Sequence, residues 1–302
     1  ADLRWGLRLG ADFIALSFVR DAADIKRVHE IMDEEGVRLP VIAKVEKPQA
    51  VDNLEEIVDA FDGIMVARGD LGVELPLEAV PIVQKRAVEL ARRWAKPVIV
   101  ATQVLESMIT SPRPTRAEAS DCANAVLDGT DAVMLSGETS VGEYPVVTVQ
   151  TMARIIEHVE EEALDRLPKL ADEPTSSTAR AVTHSATVVG EATDASYLVA
   201  FTETGLSARL MSRHRNRIPI LAFTTQPRVR SQLALVWGTE TFLVNPVLHT
   251  DDMVEQLDDT LLNIGRATVG EKIVLVAGVP PGVPGTTNGM RVVILGNRRH
   301  GI

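Results

Sequence analysis

Along the first 140 residues, five short apolar runs alternate with longer stretches whose apolar residues recur at helical spacing. The runs cover residues 13–18, 41–45, 63–67, 97–102 and 132–135, and the stretches between them cover 22–35, 51–60, 80–94 and 116–127. Such alternation marks repeated β/α units, in which parallel strands are joined by crossover helices. It restricts this part of the chain to an α/β class with a parallel sheet. Every run ends in polar or charged residues: Ser17, then Lys44 and Glu46, then Asp70, then Thr102 and Gln103, then Ser136, Glu138 and Thr139. In a (β/α)8 TIM barrel those ends share one face, where such barrels carry their chemistry. A barrel needs eight strands, so two readings stand: an open sheet, or a partial barrel (its last five β/α units) whose first three strands lie upstream of Ala1. Residues 2–10 read as a helix already in progress, which favours the second reading and a chain that is a fragment.

A helix over 145–159 leads into an acidic, weakly patterned stretch at 160–178 that contains Pro168 and Pro174. The domain boundary is placed there, giving a partial barrel domain over 1–165 and a smaller α/β domain over 166–302. In the second domain the pattern predicts helices at 179–191, 206–213, 229–235 and 250–267, and strands at 197–201, 218–223, 241–244, 272–277 and 290–295. A length of 302 residues with 45% hydrophobic content is enough for two such cores. The net charge of -11 argues against a nucleic-acid surface, because only local clusters such as 213–217 supply cations. No apolar stretch reaches the roughly 20 residues that span a bilayer, and no signal peptide is recognisable. The single cysteine, Cys122, excludes an internal disulfide, fits a reducing cytoplasm, and reads as a buried structural thiol.

The strand ends carry the candidate chemistry. Lys44 and Glu46 are two apart on one strand, so their side chains point the same way. With Asp70, Glu46 can form an oxygen site for Mg2+ or Mn2+, and Lys44 beside it can neutralise a phosphoryl group or an enolate. The alternative is a buried Lys44–Glu46 ion pair. Thr102 and Ser136 can donate to a carboxylate or relay a proton, or else cap the helices that follow. In the turn 111–116, Thr115 is an N-cap with Glu118 at capping-box spacing, and Arg113 is read as architectural. His29, His158 and His184 sit in helical stretches without metal-ligand spacing. Further on, Thr202, Glu203, Thr204, Gly205, Leu206 and Ser207 join a strand to a helix and suit a phosphate, or a capped helix alone. The Gly/Pro/Thr loop over 278–288, with Gly282 and Gly285, is long enough to close over such a ligand.

The runs VIAKVE, GIMVARGDLGVELP, KPVIVATQVLESM, SPRPTRAEASDCANAVLDGTDAVMLSGETS and GEYP, in this order, resemble the pyruvate kinase family. The resemblance covers the whole chain, from FIALSFVR to PPGVPGTTN. It implies the last five units of the catalytic barrel followed by the regulatory C-terminal domain. The first three strands and the inserted lid domain, with the K+ ligands and part of the nucleotide site, have no counterpart here. By matching position, Glu46 and Asp70 would bind Mg2+ or Mn2+ between phosphoenolpyruvate and ADP, and Lys44 would stabilise the phosphoryl group and the enolate. Amides around Ala67, Arg68, Gly69 and Asp70 would hold the substrate carboxylate, with Thr102 donating to it. Ser136 would serve the proton relay, and Ser17 and Phe18 would line the pocket. Lys47 and Pro48 depart from the family's usual asparagine-type residue and are expected to be tolerated.

The resemblance also implies a homotetramer with an effector site at Thr202, Thr204, Gly205, Ser207, Gly282 and Gly285. Glu203 stands where fructose 1,6-bisphosphate-activated members carry lysine, and Leu206 where they carry arginine. A carboxylate beside a bisphosphate is unfavourable, so the expected activator is AMP or a sugar monophosphate. The leading expectation is therefore phosphoryl transfer from phosphoenolpyruvate to ADP, giving pyruvate and ATP in the cytoplasm. A catalytically silent, effector-binding fragment and a metal-dependent barrel lyase are the competing readings.

Overall fold

A computed structural model describes residues 2–170 and 176–297. Two compact units, Ala1–Leu170 and Ala171–Ile302, divide the chain. Pro174, cited above at the boundary, lies outside the described residues.

The first unit is a five-stranded parallel sheet of β1 (Ile14–Leu16), β2 (Val41–Val45), β3 (Gly63–Ala67), β4 (Val98–Ala101) and β5 (Ala132–Val133), hydrogen-bonded in chain order. Side-chain parity explains its two faces. Val41, Ala43, Val45, Ile64, Val66, Val98 and Val100 are buried in one core with Val28, Met32, Ile57, Val83, Ala87 and Val88 from the crossover helices Asp24–Glu35, Leu54–Ala60 and Val80–Trp94. Lys44 and Glu46 have the opposite parity and stand with Ile42 away from those helices. The register aligns Val45 with Val66 and Ala67 with Ala101, so the ends of β2, β3 and β4 lie side by side.

Two expectations need correction. The stretch 51–60 is broken at Asn53 into Pro48–Asp52 and Leu54–Ala60, because Pro48 at the first turn starts a helix earlier than apolar spacing indicates. Residues between 67 and 80, assigned to no element from the sequence, instead begin with the helix Arg68–Glu74 directly from the strand. The helix Arg116–Asp128 begins where expected: the Thr115 hydroxyl accepts from the Glu118 N–H, and Glu118 accepts from the Thr115 N–H at 2.7 Å. Cys122 is fully buried in it, and burial pushes its thiol up to about 11.

In the second unit the sheet order is β10 (Thr287–Ile294), β9 (Lys272–Gly278), β6 (Tyr197–Phe201), β7 (Ile220–Thr224) and β8 (Thr239–Leu243), with only the β9–β10 pair antiparallel. Both faces are covered. Leu198, Ala200, Ile220, Ala222, Val274 and Val276 pack with Ala186, Ala208, Met211 and Leu233 from the helices Thr178–Thr193, Leu206–Ser212 and Pro227–Leu233. The residues of opposite parity, Val199, Leu221, Phe223, Ile273 and Leu275, pack on Leu257 and Leu261 of Thr250–Asn263. Strands buried on both faces need apolar residues at every position, which is why they read as continuous runs. Among the described residues, no helix is long and apolar enough to cross a membrane.

Candidate functional site

Glu46, at the end of β2, is a buried carboxylate, 1% exposed. Its Oε1 accepts from the Phe18 N–H at 2.6 Å, and its Oε2 lies 3.0 Å from the Lys44 ammonium, which also donates to Ser17 Oγ at 3.0 Å. The ion pair weighed from spacing alone is thus present, and it joins the ends of β1 and β2. Phe18, whose N–H lies on Glu46, holds a left-handed φ of 60°, unusual for an aromatic residue. A buried carboxylate needs such partners, since an uncompensated charge there is costly.

At the end of β3, the step straight into a helix puts Arg68, Gly69 and Asp70 in its first turn. The Gly69 N–H donates to Thr102 Oγ1 at 2.7 Å, and that hydroxyl donates to the Ala101 carbonyl at 2.7 Å. A Cβ on Gly69 would meet Thr102 Oγ1 at 3.2 Å, so glycine permits the close approach. Thr102 and Gln103 both have left-handed backbones, with φ of 67° and 54°. Arg68 spans this bend, donating to the Thr102 carbonyl at 3.0 Å and pairing with Asp121 at 2.6 Å. Asp70 is exposed, and its carboxylate makes no hydrogen bond or ion pair within the described residues.

At β5, the Ser136 N–H donates to Glu138 Oε2 at 2.7 Å, and Glu138, itself 2% exposed, also accepts from the Leu105 N–H at 3.3 Å. Glu138 therefore ties the ends of β4 and β5. Glu118 does similar work one loop away. Burial opposes its ionisation, but bonds from the Ser107 hydroxyl and N–H and from Thr115 outweigh this and hold its pKa below the usual value.

Two carboxylates on adjacent strand ends, one without an internal partner, are hard oxygen donors of the kind Mg2+ or Mn2+ accepts with substrate and water completing its shell. Both oxygens of Glu46 are already engaged, so a cation there would share them with Phe18 and Lys44. The residues fit a divalent cation, although no cluster of three or more metal-ligating side chains occurs among the described residues.

The second unit holds a separate, solvent-open pocket with a cavity volume of about 60 Å³. The loop after β6 and the loop between β9 and β10 both line it, through Thr202, Thr204, Ser207, Gly282, Gly285 and Thr287 among others. Thr202 Oγ1 accepts from the Gly205 N–H at 3.0 Å, and Ser207 Oγ shares a hydrogen with Thr287 Oγ1 at 2.7 Å. Gly205, with φ of 78°, is the N-cap of the helix Leu206–Ser212 and, unlike its neighbours, does not line the pocket. Glu203 also lines the pocket, and its Oε2 accepts from Thr225 Oγ1 at 2.8 Å and Gln226 Nε2 at 3.2 Å.

The family model described as pyruvate kinase, barrel domain, matches residues 1–149, and that described as pyruvate kinase, alpha/beta domain, matches residues 180–293. The chain belongs to the pyruvate kinase family. It is 57% identical over 295 residues to a pyruvate kinase of Mycobacterium tuberculosis, covering 98% of this chain and 62% of the relative. A pyruvate kinase of Corynebacterium glutamicum is 57% identical over 296 residues, with 98% and 62% covered. One of Geobacillus stearothermophilus is 43% identical over 298 residues, with 98% and 51% covered. The chain thus spans less than two thirds of the length of these relatives.

Within the pyruvate kinase barrel portion, the structure places Ser17, Phe18, Lys44, Glu46, Ala67, Arg68, Gly69, Asp70, Thr102 and Ser136 at consecutive strand ends. Direct bonds join Ser17, Phe18, Lys44 and Glu46 in one group and Arg68, Gly69 and Thr102 in another. Sequence reasoning did not assign Asp121, Lys47 or Glu74 to the site. Asp121 was hidden because its partner Arg68 lies 53 residues away, and no local pattern reports such a pairing.

Proposed function

We propose that the protein to which this chain belongs transfers the phosphoryl group of phosphoenolpyruvate to ADP, giving pyruvate and ATP. The observation that carries this reading is the Lys44 ammonium held between Ser17 and Glu46 at the strand ends of a pyruvate kinase barrel portion. An ADP β-phosphate oxygen attacks phosphorus, the bond from phosphorus to the C2 oxygen breaks, and the electron pair stays on the enolate. Lys44 stabilises charge on the transferring group and then on that oxygen. Glu46 and Asp70 would hold a divalent cation, whose chemistry there would be to neutralise phosphate charge. The amides of Ala67, Arg68, Gly69 and Asp70 hold the substrate carboxylate. Thr102 turns its hydroxyl from the Ala101 carbonyl to that carboxylate, and Ser136 serves the protonation of C3 of the enolate to give pyruvate. Ser17 and Phe18 close the pocket, and K+ is supplied outside this chain.

The division into a partial barrel domain over 1–165 and a regulatory domain over 166–302, a cytoplasmic location and a homotetramer belong to the same reading. The pocket lined by Thr202, Thr204, Ser207, Gly282 and Gly285, with Gly205 capping the helix that opens beside it, would take a phosphorylated activator. The Glu203 carboxylate favours AMP or a sugar monophosphate over fructose 1,6-bisphosphate. The test is pyruvate formation from phosphoenolpyruvate and ADP, with Mg2+ and K+, by the full-length protein, repeated with AMP, glucose 6-phosphate and fructose 1,6-bisphosphate. Turnover is expected. A full-length protein that folds and produces no pyruvate would overturn the reading.

A further inference from the structure

We propose that Lys47 is a positioning residue that raises divalent-cation affinity by strapping the Asp70 helix and the Phe18 turn to the end of β2. The proposal rests on the reading of Glu46 and Asp70 as cation ligands.

Lys47 immediately follows Glu46, in extended backbone at the entrance to the helix Pro48–Asp52. Its ammonium is 2.6 Å from Glu74 Oε1 and 5.5 Å from the centroid of the Phe18 ring. Glu74 ends the helix whose first turn carries Asp70. Phe18 donates its N–H to Glu46. One cation therefore touches a residue on each structure that bears on the two carboxylates: the far end of the Asp70 helix, and the aromatic residue whose backbone fixes Glu46. The side chains of Lys47 and Glu74 are 23% and 38% exposed, so solvent weakens the pair without dissolving it.

Glu46 is anchored from two sides, whereas Asp70 sits on a helix of seven residues and its carboxylate has no bond to hold it among the described residues. Its placement relative to Glu46 depends on how the helix is secured. Arg68 and Gly69 secure the start of that helix against Thr102, on the β4 side. Lys47 secures its end toward β2, the strand that carries Glu46. Groups that orient metal ligands tune affinity without touching the metal. Lys47 thus acts on the cation through the spacing of the two carboxylates.

The test uses the full-length protein with Mn2+ alone, free Mn2+ being counted by electron paramagnetic resonance, so that binding is read without turnover. Lys47→Met and Glu74→Gln are each expected to weaken the Kd for Mn2+ about threefold to tenfold. The double variant should be no weaker than Lys47→Met alone, because removing Lys47 already removes the bond to Glu74. Lys47→Arg should restore most of the affinity. At saturating Mn2+, kcat should stay within about twofold of wild type, the loss being confined to the metal requirement. Wild-type affinity in Lys47→Met, or a double variant that sums the two single losses, would overturn the strap. If the wild type binds Mn2+ but forms no pyruvate, the proposed activity fails while the comparison of Kd values still decides the role of Lys47.

Discussion

At the scale of single residues, the site is a set of groups already committed to one another. Glu46 gives one oxygen to Phe18 and the other to Lys44. Glu46→Gln keeps the shape and removes the charge. In the full-length protein it is expected to lower kcat at least about a hundredfold, with unchanged circular dichroism; near-normal turnover would show that this carboxylate does not serve the cation. Glu118 allows a different kind of test. Its pKa in the folded protein lies below its unfolded value, so it contributes stability that is present above the unfolded pKa and lost as pH falls through the folded one. The melting temperature of wild type should therefore exceed that of Glu118→Gln at neutral pH, and the gap should shrink as the buffer is acidified through the carboxylate range. A gap that is constant with pH would assign the effect to shape alone.

At the scale of elements, the capping box that starts the helix Arg116–Asp128 was legible because its chemistry is local: hydroxyl and carboxylate stand three residues apart. Thr115→Ala should cost about 1 kcal/mol, measured as a lower midpoint in urea. The β/α alternation was equally plain, since strands buried in a parallel sheet are apolar throughout. The helix Arg68–Glu74 was not legible. Its two glycines and first-turn aspartate are poor helix-interior residues, and the long-range bonds that hold its start, from Gly69 to Thr102 and from Arg68 across the β4 bend, leave no trace in local spacing. The same reason hid Lys47. A lysine next to a proline reads as a loop residue until its partner, 27 positions away, is brought beside it. The left-handed residues Phe18, Thr102 and Gln103 also went unseen, because none is a glycine or asparagine.

At the scale of the whole molecule, the two units differ in how they meet solvent. In the first, β1 and β5 each pair on one side only, so both edges of a parallel sheet stand open among the described residues. Unpaired edges recruit other strands. The chain expressed by itself should self-associate in light scattering, and a monodisperse monomer would contradict this. The units also differ in the order of their strands. In the first, each strand pairs with the one that follows it in sequence, so a nascent chain can add its strands one after another as they leave the ribosome. In the second, β6 lies between β7 and β9. During synthesis one side of β6 can be matched early, but the other must wait until residues 272–278 have emerged. The most apolar strands of the second unit therefore pass through an interval of half-completion that the first unit avoids, and it is there that a chaperone would have its strongest claim on this polypeptide.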